Sequence, residues 1–214
     1  MTASDEPPLH RRLPVPNLVS FIALFLAWGG MLLLLNGRFY FSFAIILVAV
    51  IADFADGYLA RRLSLETPVG RHLDSHVDAF VHLLYPALAW YVFLGLRDPV
   101  SVGGLFVFLA CGIFRLARFN VVGYASRSEG AKAYTGLPVV CSHLVSLMLL
   151  ALKALAVPHF SAVADGLILL SAVLMVQTFP FPKPGRIWPF VAVLALLSIA
   201  MCSLGYHELN QLPK

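Results

Sequence analysis

The chain has 214 residues, of which 60% are hydrophobic and only 12% are charged, and its mean hydropathy is +0.85. Because soluble domains carry about 25% charged residues, this composition excludes an ordinary soluble protein and indicates one that lies in lipid. The net charge of +4 does not indicate nucleic acid binding, because the basic residues lie in short segments between apolar blocks. The three cysteines stand singly in apolar stretches, which predicts no disulfide framework.

Apolar residues come in blocks, and each block is about as long as the 17–25 residues that an α-helix needs to cross a bilayer. Transmembrane strands alternate apolar and polar residues, whereas these blocks stay apolar on every side. We therefore predict an all-α fold, a polytopic transmembrane helix bundle. In chain order, the predicted spans cover residues 18–36, 39–60, 71–95, 101–122, 137–156, 163–179 and 187–206.

Basic residues are concentrated in every second connection between the predicted spans. The positions on this side are Arg11, Arg12, Arg61, Arg62, Arg71, Arg127, Lys132, Lys183 and Arg186. The opposite connections contain only Arg38 and Arg97. Since connections rich in lysine and arginine stay in the cytoplasm, we predict that the basic side is cytoplasmic and that the C-terminus lies outside.

Four acidic residues lie within the second and third predicted spans. Asp53 and Asp56 are three positions apart and Asp74 and Asp78 are four apart, so each pair lies on one face of its helix. Two helices can thus direct four carboxylates at one point. Acids within a membrane span are costly and usually functional, although a buried ion-pair network with nearby arginines is the alternative. Oxygen ligands suit hard divalent cations such as Mg²⁺, Mn²⁺ or Ca²⁺.

The segment 53–78 resembles the signature of the CDP-alcohol phosphotransferase family, D-x2-D-G-x2-A-R-x8-G-x3-D-x3-D, and matches every fixed position. The resemblance implies that an alcohol oxygen attacks the β-phosphorus of a CDP-alcohol and that CMP leaves. It also implies one or two divalent cations, Mg²⁺ or Mn²⁺. The residues with implied roles are Asp53, Asp56, Asp74 and Asp78 for the metal, Asp78 as the catalytic general base, and Asp53, Asp56, Gly57, Ala60, Arg61 and Gly70 for CDP.

Further segments resemble the phosphatidylserine synthase branch of this family, which joins CDP-diacylglycerol to L-serine. The similar segments begin at Pro16, Leu73, Arg115, Gly136 and Leu174. Arg115 and Arg118 are three positions apart at the end of the fourth span and lie close to Asn120. We expect these three residues to contact the acceptor through charge-assisted hydrogen bonds, with anchoring at the basic membrane face as the alternative for the two arginines.

The chain departs from the branch at two places, after Asp78 and after the Gly-Leu-Pro motif that begins at Gly136. Small residues are expected at both places, but the chain has His82 after the first and His143 after the second. We expect His82 or His143 to line the site and to contact the acceptor. Because the departures concern the acceptor, glycerol 3-phosphate and an inositol phosphate stay open as alternatives to L-serine.

Two other functions are weighed against the transferase. An ion-coupled transporter also places acids in helices, but it does not explain the spacing of the glycines, alanine and arginine in segment 53–78. A zinc hydrolase is suggested by His72 and His76, but the chain lacks the glutamate that follows the first histidine in such a motif. The transferase is therefore preferred.

The resemblance also indicates how the chain is divided and where it acts. We predict a polar cytoplasmic segment at 1–16, a CDP-alcohol phosphotransferase domain with a six-helix core at 17–180, and a loop, an extra seventh helix and a tail at 181–214. The expected partners are CDP-diacylglycerol, a small alcohol, membrane lipid and a second copy of the chain in a homodimer. The expected location is the inner membrane, with the active site facing the cytoplasm.

Overall fold

The computed structural model describes residues 15–65, 67–123, 125–126, 132–182 and 188–211. In this part of the chain, seven helices follow one another. They are α1 (Val15–Leu35), α2 (Phe39–Arg62), α3 (Pro68–Leu94), α4 (Pro99–Val122), α5 (Cys141–Ala154), α6 (Phe160–Val176) and α7 (Trp188–Gln211). Five of them are long and apolar enough to cross a membrane, so the chain is an integral membrane protein and the predicted polytopic helix bundle is confirmed.

The local sequence determines where α3 begins and where its hydrogen bonding changes from α-helical to π-helical. The Gly70 N–H donates to Thr67 Oγ1 over 2.9 Å, so the threonine caps the helix, and Pro68 occupies the first turn, where its missing N–H costs nothing. Pro86 cannot donate to the carbonyl of His82, four residues earlier. The helix forms a π-helical segment at Ala79–Leu84 just before this proline, and a second one at Trp90–Leu94.

The core consists of two apolar clusters, and α3 contributes to both. In the first cluster, buried side chains of α3 pack with those of α1, α2 and α7, including Phe43 and Tyr85. In the second, they pack with side chains of α4, α5 and α6, including Trp90 and Phe108. The central helix therefore carries Asp74 and Asp78 into the interior of the bundle.

A small antiparallel sheet joins two connections, and the sequence did not indicate it. Its strands are β1 (Ala125–Ser126), β2 (Lys132–Thr135) and β3 (Pro180–Pro182), in the order β1-β2-β3. The strands are short, and β3 contains prolines that only an edge strand tolerates. Because β2 precedes α5 and β3 follows α6, the sheet shows that the two connections lie at the same end of the bundle.

Helix α5 is shorter than the span predicted for it, whereas α6 has the predicted length but begins earlier. The 14 residues of α5 lie within the predicted span 137–156, and the 17 residues of α6 begin three positions before the predicted span 163–179. The segment before α5 is held away from the helix, because the Gly136 N–H donates to Phe179 O over 2.9 Å and the Leu137 N–H donates to Leu174 O over 3.0 Å. Of the basic positions used to predict the orientation, Arg11, Arg12, Arg127, Lys183 and Arg186 lie outside the described residues.

Candidate active site

The two acidic pairs on α2 and α3 come together inside the bundle. Ligand atoms of Asp53, Asp56 and Asp74 all lie within 4.8 Å of one another, and the same holds for Asp53, Asp78 and His82. Asp53 belongs to both groups. The convergence follows from the helical spacing of each pair and from the contact between α2 and α3, so four carboxylates occupy one small region.

Asp53 shows that this region suits a cation. Its side chain is buried, and its Oδ1 atom has no hydrogen bond partner among the described residues. A buried carboxylate oxygen without a donor is unfavourable unless a positive charge compensates it. Carboxylate oxygens are the donors that hard divalent cations prefer, so this acidic group could hold a divalent cation.

A serine on α1, which the sequence analysis did not identify, completes the acidic region. The Ser20 hydroxyl donates to Oδ2 of Asp56, and both side chains are buried. This bond orients the Asp56 carboxylate. The only signal in the sequence was a single hydroxyl within an apolar span, and nothing in the spacing indicated that it faces Asp56.

A cavity of about 240 Å³ lies beside the carboxylates. Its lining comes from the start of α1, the end of α2, the start of α3 and the end of α4. The lining residues are Pro16, Asn17, Ser20, Asp56, Gly57, Ala60, Arg61, Leu65, Thr67, Gly70, Arg71, Asp74, Phe119 and Gly123. Five of the six residues predicted to bind CDP are among them, and the sixth, Asp53, stands in the carboxylate group that includes Asp56 and Asp74.

Small residues and arginines determine what the cavity can accept. A Cβ atom at Gly70 would lie 3.0 Å from both Asn17 Oδ1 and Thr67 Oγ1, so a larger residue would disturb the wall. Arg61 and Arg71 line the same cavity as Asp56 and Asp74. Guanidinium groups bind phosphate oxygens, and carboxylates bind them only through a shared cation. The cavity thus has the charges that a metal-bound diphosphate requires.

Two histidines lie next to the carboxylates. His82 Nδ1 is 2.9 Å from His143 Nε2, and His82 Nε2 is 3.3 Å from Asp53 Oδ2 and 3.4 Å from Asp78 Oδ1. Both histidines are buried. The pair therefore stands beside the carboxylates and not among the residues that line the cavity, and contact of either histidine with the acceptor stays a prediction.

The other predicted acceptor residues are placed differently. Asn120 accepts a 2.9 Å hydrogen bond from the hydroxyl of Ser75, the residue that follows Asp74. Arg115 is buried and interacts electrostatically with Asp78. The guanidinium of Arg118 donates to four backbone carbonyls, at distances of 2.6–3.3 Å. These acceptors belong to Thr135, Met175, Val176 and Gln177. In this structure Arg118 therefore holds the small sheet and the end of α6 to α4.

Comparisons with known proteins extend over most of the chain. The family model described as CDP-alcohol phosphatidyltransferase matches residues 13–179. A protein of Methanocaldococcus jannaschii named CDP-diacylglycerol--serine O-phosphatidyltransferase is 27% identical, over 78% of this chain and 75% of its own. A Helicobacter pylori protein of the same name is 26% identical over 90% and 83%. The archaetidylserine synthase of Methanothermobacter thermautotrophicus is 29% identical over 80% and 70%.

Proposed function

Because this chain belongs to the CDP-alcohol phosphatidyltransferase family, we propose that it transfers the phosphatidyl group of CDP-diacylglycerol to L-serine, which yields phosphatidylserine and CMP. The observation that carries the proposal is the group of four carboxylates beside a cavity lined by Gly57, Ala60, Arg61 and Gly70. The choice of L-serine is supported by the names of the relatives.

The cavity binds the CDP part of the donor in this proposal. Arg61 and Arg71 contact the diphosphate, and the absence of side chains at Gly57 and Gly70 leaves room for it. Asp53, Asp56, Asp74 and Asp78 would hold one or two divalent cations, which would neutralise the diphosphate and the charge on departing CMP. The Ser20 hydroxyl keeps Asp56 in place for this role.

Asp78 acts as the general base in the proposed reaction. Its carboxylate takes the proton of the serine hydroxyl as the serine oxygen forms a bond to the β-phosphorus. The bond between this phosphorus and the oxygen bridging to the CMP phosphorus breaks, and CMP leaves with the electron pair. Asp78 then releases this proton to solvent, which restores the carboxylate for the next turnover. Arg115, which interacts electrostatically with Asp78, stays close to the position of the acceptor.

The cavity lies at the end of the bundle where Arg61, Arg62 and Arg71 stand at the ends of α2 and α3. Its lining includes Arg61 and Arg71 together with the first residues of α1, and the positive-inside rule assigns this end to the cytoplasm. We therefore propose that the active site faces the cytoplasm at the inner membrane. We also propose that the chain forms a homodimer.

The test is release of CMP by the purified protein in detergent. Labelled CDP-diacylglycerol is supplied with Mg²⁺ or Mn²⁺ and with L-serine, glycerol 3-phosphate or an inositol phosphate in separate reactions. We expect CMP and labelled phosphatidylserine with L-serine only. Release of CMP with only one of the other acceptors would show that this acceptor is the substrate in place of L-serine, and the reaction class would stand. No release of CMP with any acceptor would refute the proposed reaction.

A further inference from the structure

The His82 and His143 pair lies next to the carboxylates but outside the cavity lining. The exposed fractions of the two residues are 2% and 3%, so both rings are shielded from solvent. The two residues are 61 positions apart in the chain and come from α3 and α5. Each of them lies in one of the two stretches in which the sequence departs from the small residues expected in this family branch. Two departures that meet in one hydrogen bond indicate a shared role.

The spacing of the atoms around His82 Nε2 is that of ligands around an ion. The 3.3 Å distance to Asp53 and the 3.4 Å distance to Asp78 are too long for strong hydrogen bonds. Donor atoms about 2.0–2.2 Å from a shared metal ion lie roughly 3–3.5 Å from one another. The buried Asp53 Oδ1 atom, which has no hydrogen bond partner in the described part of the chain, is an independent sign that a cation belongs here.

We propose that His82 Nε2 is a ligand of the divalent cation that Asp53 and Asp78 hold, and that His143 is a positioning residue. In this arrangement His82 Nδ1 carries the ring proton and donates a hydrogen bond to His143 Nε2 over 2.9 Å. Such a bond to the far nitrogen fixes the ring and its tautomer for metal binding. The inference rests on the proposed function, since the ion is the one that serves the transfer.

A nitrogen ligand changes which cation the site prefers. Sites made only of oxygen suit Mg²⁺ and Ca²⁺, whereas an imidazole favours first-row transition ions. We therefore expect this chain to bind Mn²⁺ more tightly than Mg²⁺. The preference for Mn²⁺ over Mg²⁺ should fall by about tenfold or more when the imidazole is removed, because loss of one ligand affects the softer ion most.

The decisive experiment detects nitrogen bound to Mn²⁺ without measuring catalysis. Purified wild-type protein is loaded with Mn²⁺, with natural or ¹⁵N-labelled histidine, and pulsed electron paramagnetic resonance records the coupling of the ion to nearby nitrogen nuclei. We expect a histidine coupling that changes with the isotope and disappears in His82→Asn. The matched control is His76→Asn on the same helix, whose exposed ring bonds to the His72 carbonyl, and it should retain the coupling.

A second variant tests the positioning role of the other histidine. His143→Ala keeps the ligand but removes its hydrogen bond partner, so we expect the nitrogen coupling to remain while Mn²⁺ affinity falls by about 10–100-fold. The wild-type isotope comparison stands even if a variant fails to fold. Absence of histidine coupling in the wild type, its survival in His82→Asn, or failure of the wild type to bind Mn²⁺ would each overturn the inference.

The outcome is separable from that of the proposed function. CMP release together with Mn²⁺ that is bound by oxygen alone would overturn the role of His82 and leave the transfer reaction standing. Histidine coupling without CMP release with any acceptor would support the role of His82 as a ligand and overturn the proposed transfer reaction. Both measurements use the same full-length protein preparation.

Discussion

At the residue scale, Asp78 is set apart from the other three carboxylates by its surroundings. Asp56 and Asp74 line the cavity, whereas Asp78 is grouped with His82 and Asp53. We expect Asp78→Asn to lower the rate of CMP release by about 10²–10⁴-fold, because the amide cannot accept the serine proton. Binding of CDP-diacylglycerol, measured by isothermal titration calorimetry, should be retained. A variant that keeps wild-type turnover would show that the base is another group.

Arg118 provides a second prediction at this scale, because its observed contacts differ from its predicted role. Arg118→Lys replaces a planar guanidinium group, which donates to four carbonyls, with a single ammonium group. We expect the free energy of unfolding to fall by about 2 kcal/mol, the scale of a lost charged hydrogen bond, while the KM for L-serine stays unchanged. A raised KM at unchanged melting temperature would instead support the predicted contact with the acceptor.

At the scale of elements, the contact between α3 and α4 depends on a glycine. A Cβ atom at Gly112 would lie 2.4 Å from Leu83 Cδ2, and Leu83 is buried next to His82 in the π-helical segment. We expect Gly112→Ala to destabilise the protein by about 1–3 kcal/mol through overpacking, and to lower CMP release by moving His82. Thermal unfolding in detergent measures the first effect.

The control for this prediction lies on the same helix. Gly103→Ala introduces the same methyl group where no atom beyond the local helix backbone lies within 4 Å, so activity should stay at the wild-type value. Stability should stay the same or rise by up to about 1 kcal/mol, because alanine favours a helix more than glycine does. Equal losses in both variants would mean that backbone flexibility of α4, rather than contact with Leu83, explains the effect.

At the scale of the whole molecule, a bound cation should join α2 to α3, the helix that packs in both apolar clusters. Asp53 and Asp56 lie on α2 and Asp74 and Asp78 on α3, so without a cation their charges repel across the helix contact. We expect Mn²⁺ at about 100 times its Kd to stabilise the folded protein by about 2.7 kcal/mol, and EDTA to reverse the effect. The melting temperature measures both changes.

Two variants test the specificity of this stabilisation. Asp53→Asn should abolish the response to Mn²⁺, because Asp53 belongs to both groups of possible ligands. Asp98→Asn provides the matched control, since Asp98 caps α4 through its bonds to the Ser101 hydroxyl and to backbone N–H groups, and these bonds hold its pKa below its usual value. This control is expected to respond to Mn²⁺ as the wild type does. A full response in Asp53→Asn would place the ion elsewhere.

Sequence reasoning was sufficient for features that depend on neighbouring residues. The apolar blocks predicted the helix bundle, and the spacing of Asp53 with Asp56 and of Asp74 with Asp78 predicted that each pair shares a face. The ends of α5 and α6 were less well predicted, because hydrogen bonds from Gly136 to Phe179 and from Leu137 to Leu174 remove apolar residues from the helix. Apolarity alone does not distinguish such a turn from the helix that follows it.

The sequence by itself determined that the chain spans a membrane and carries a carboxylate site, because helical periodicity and apolar length act over one or two turns. Only the tertiary structure decided that Ser20 bonds to Asp56, 36 positions away, that His82 meets His143, and that Arg118 binds carbonyls 17 to 59 positions away. These contacts depend on which helices pack together and at what rotation. No local pattern encodes that information, since the same apolar faces allow several arrangements in lipid.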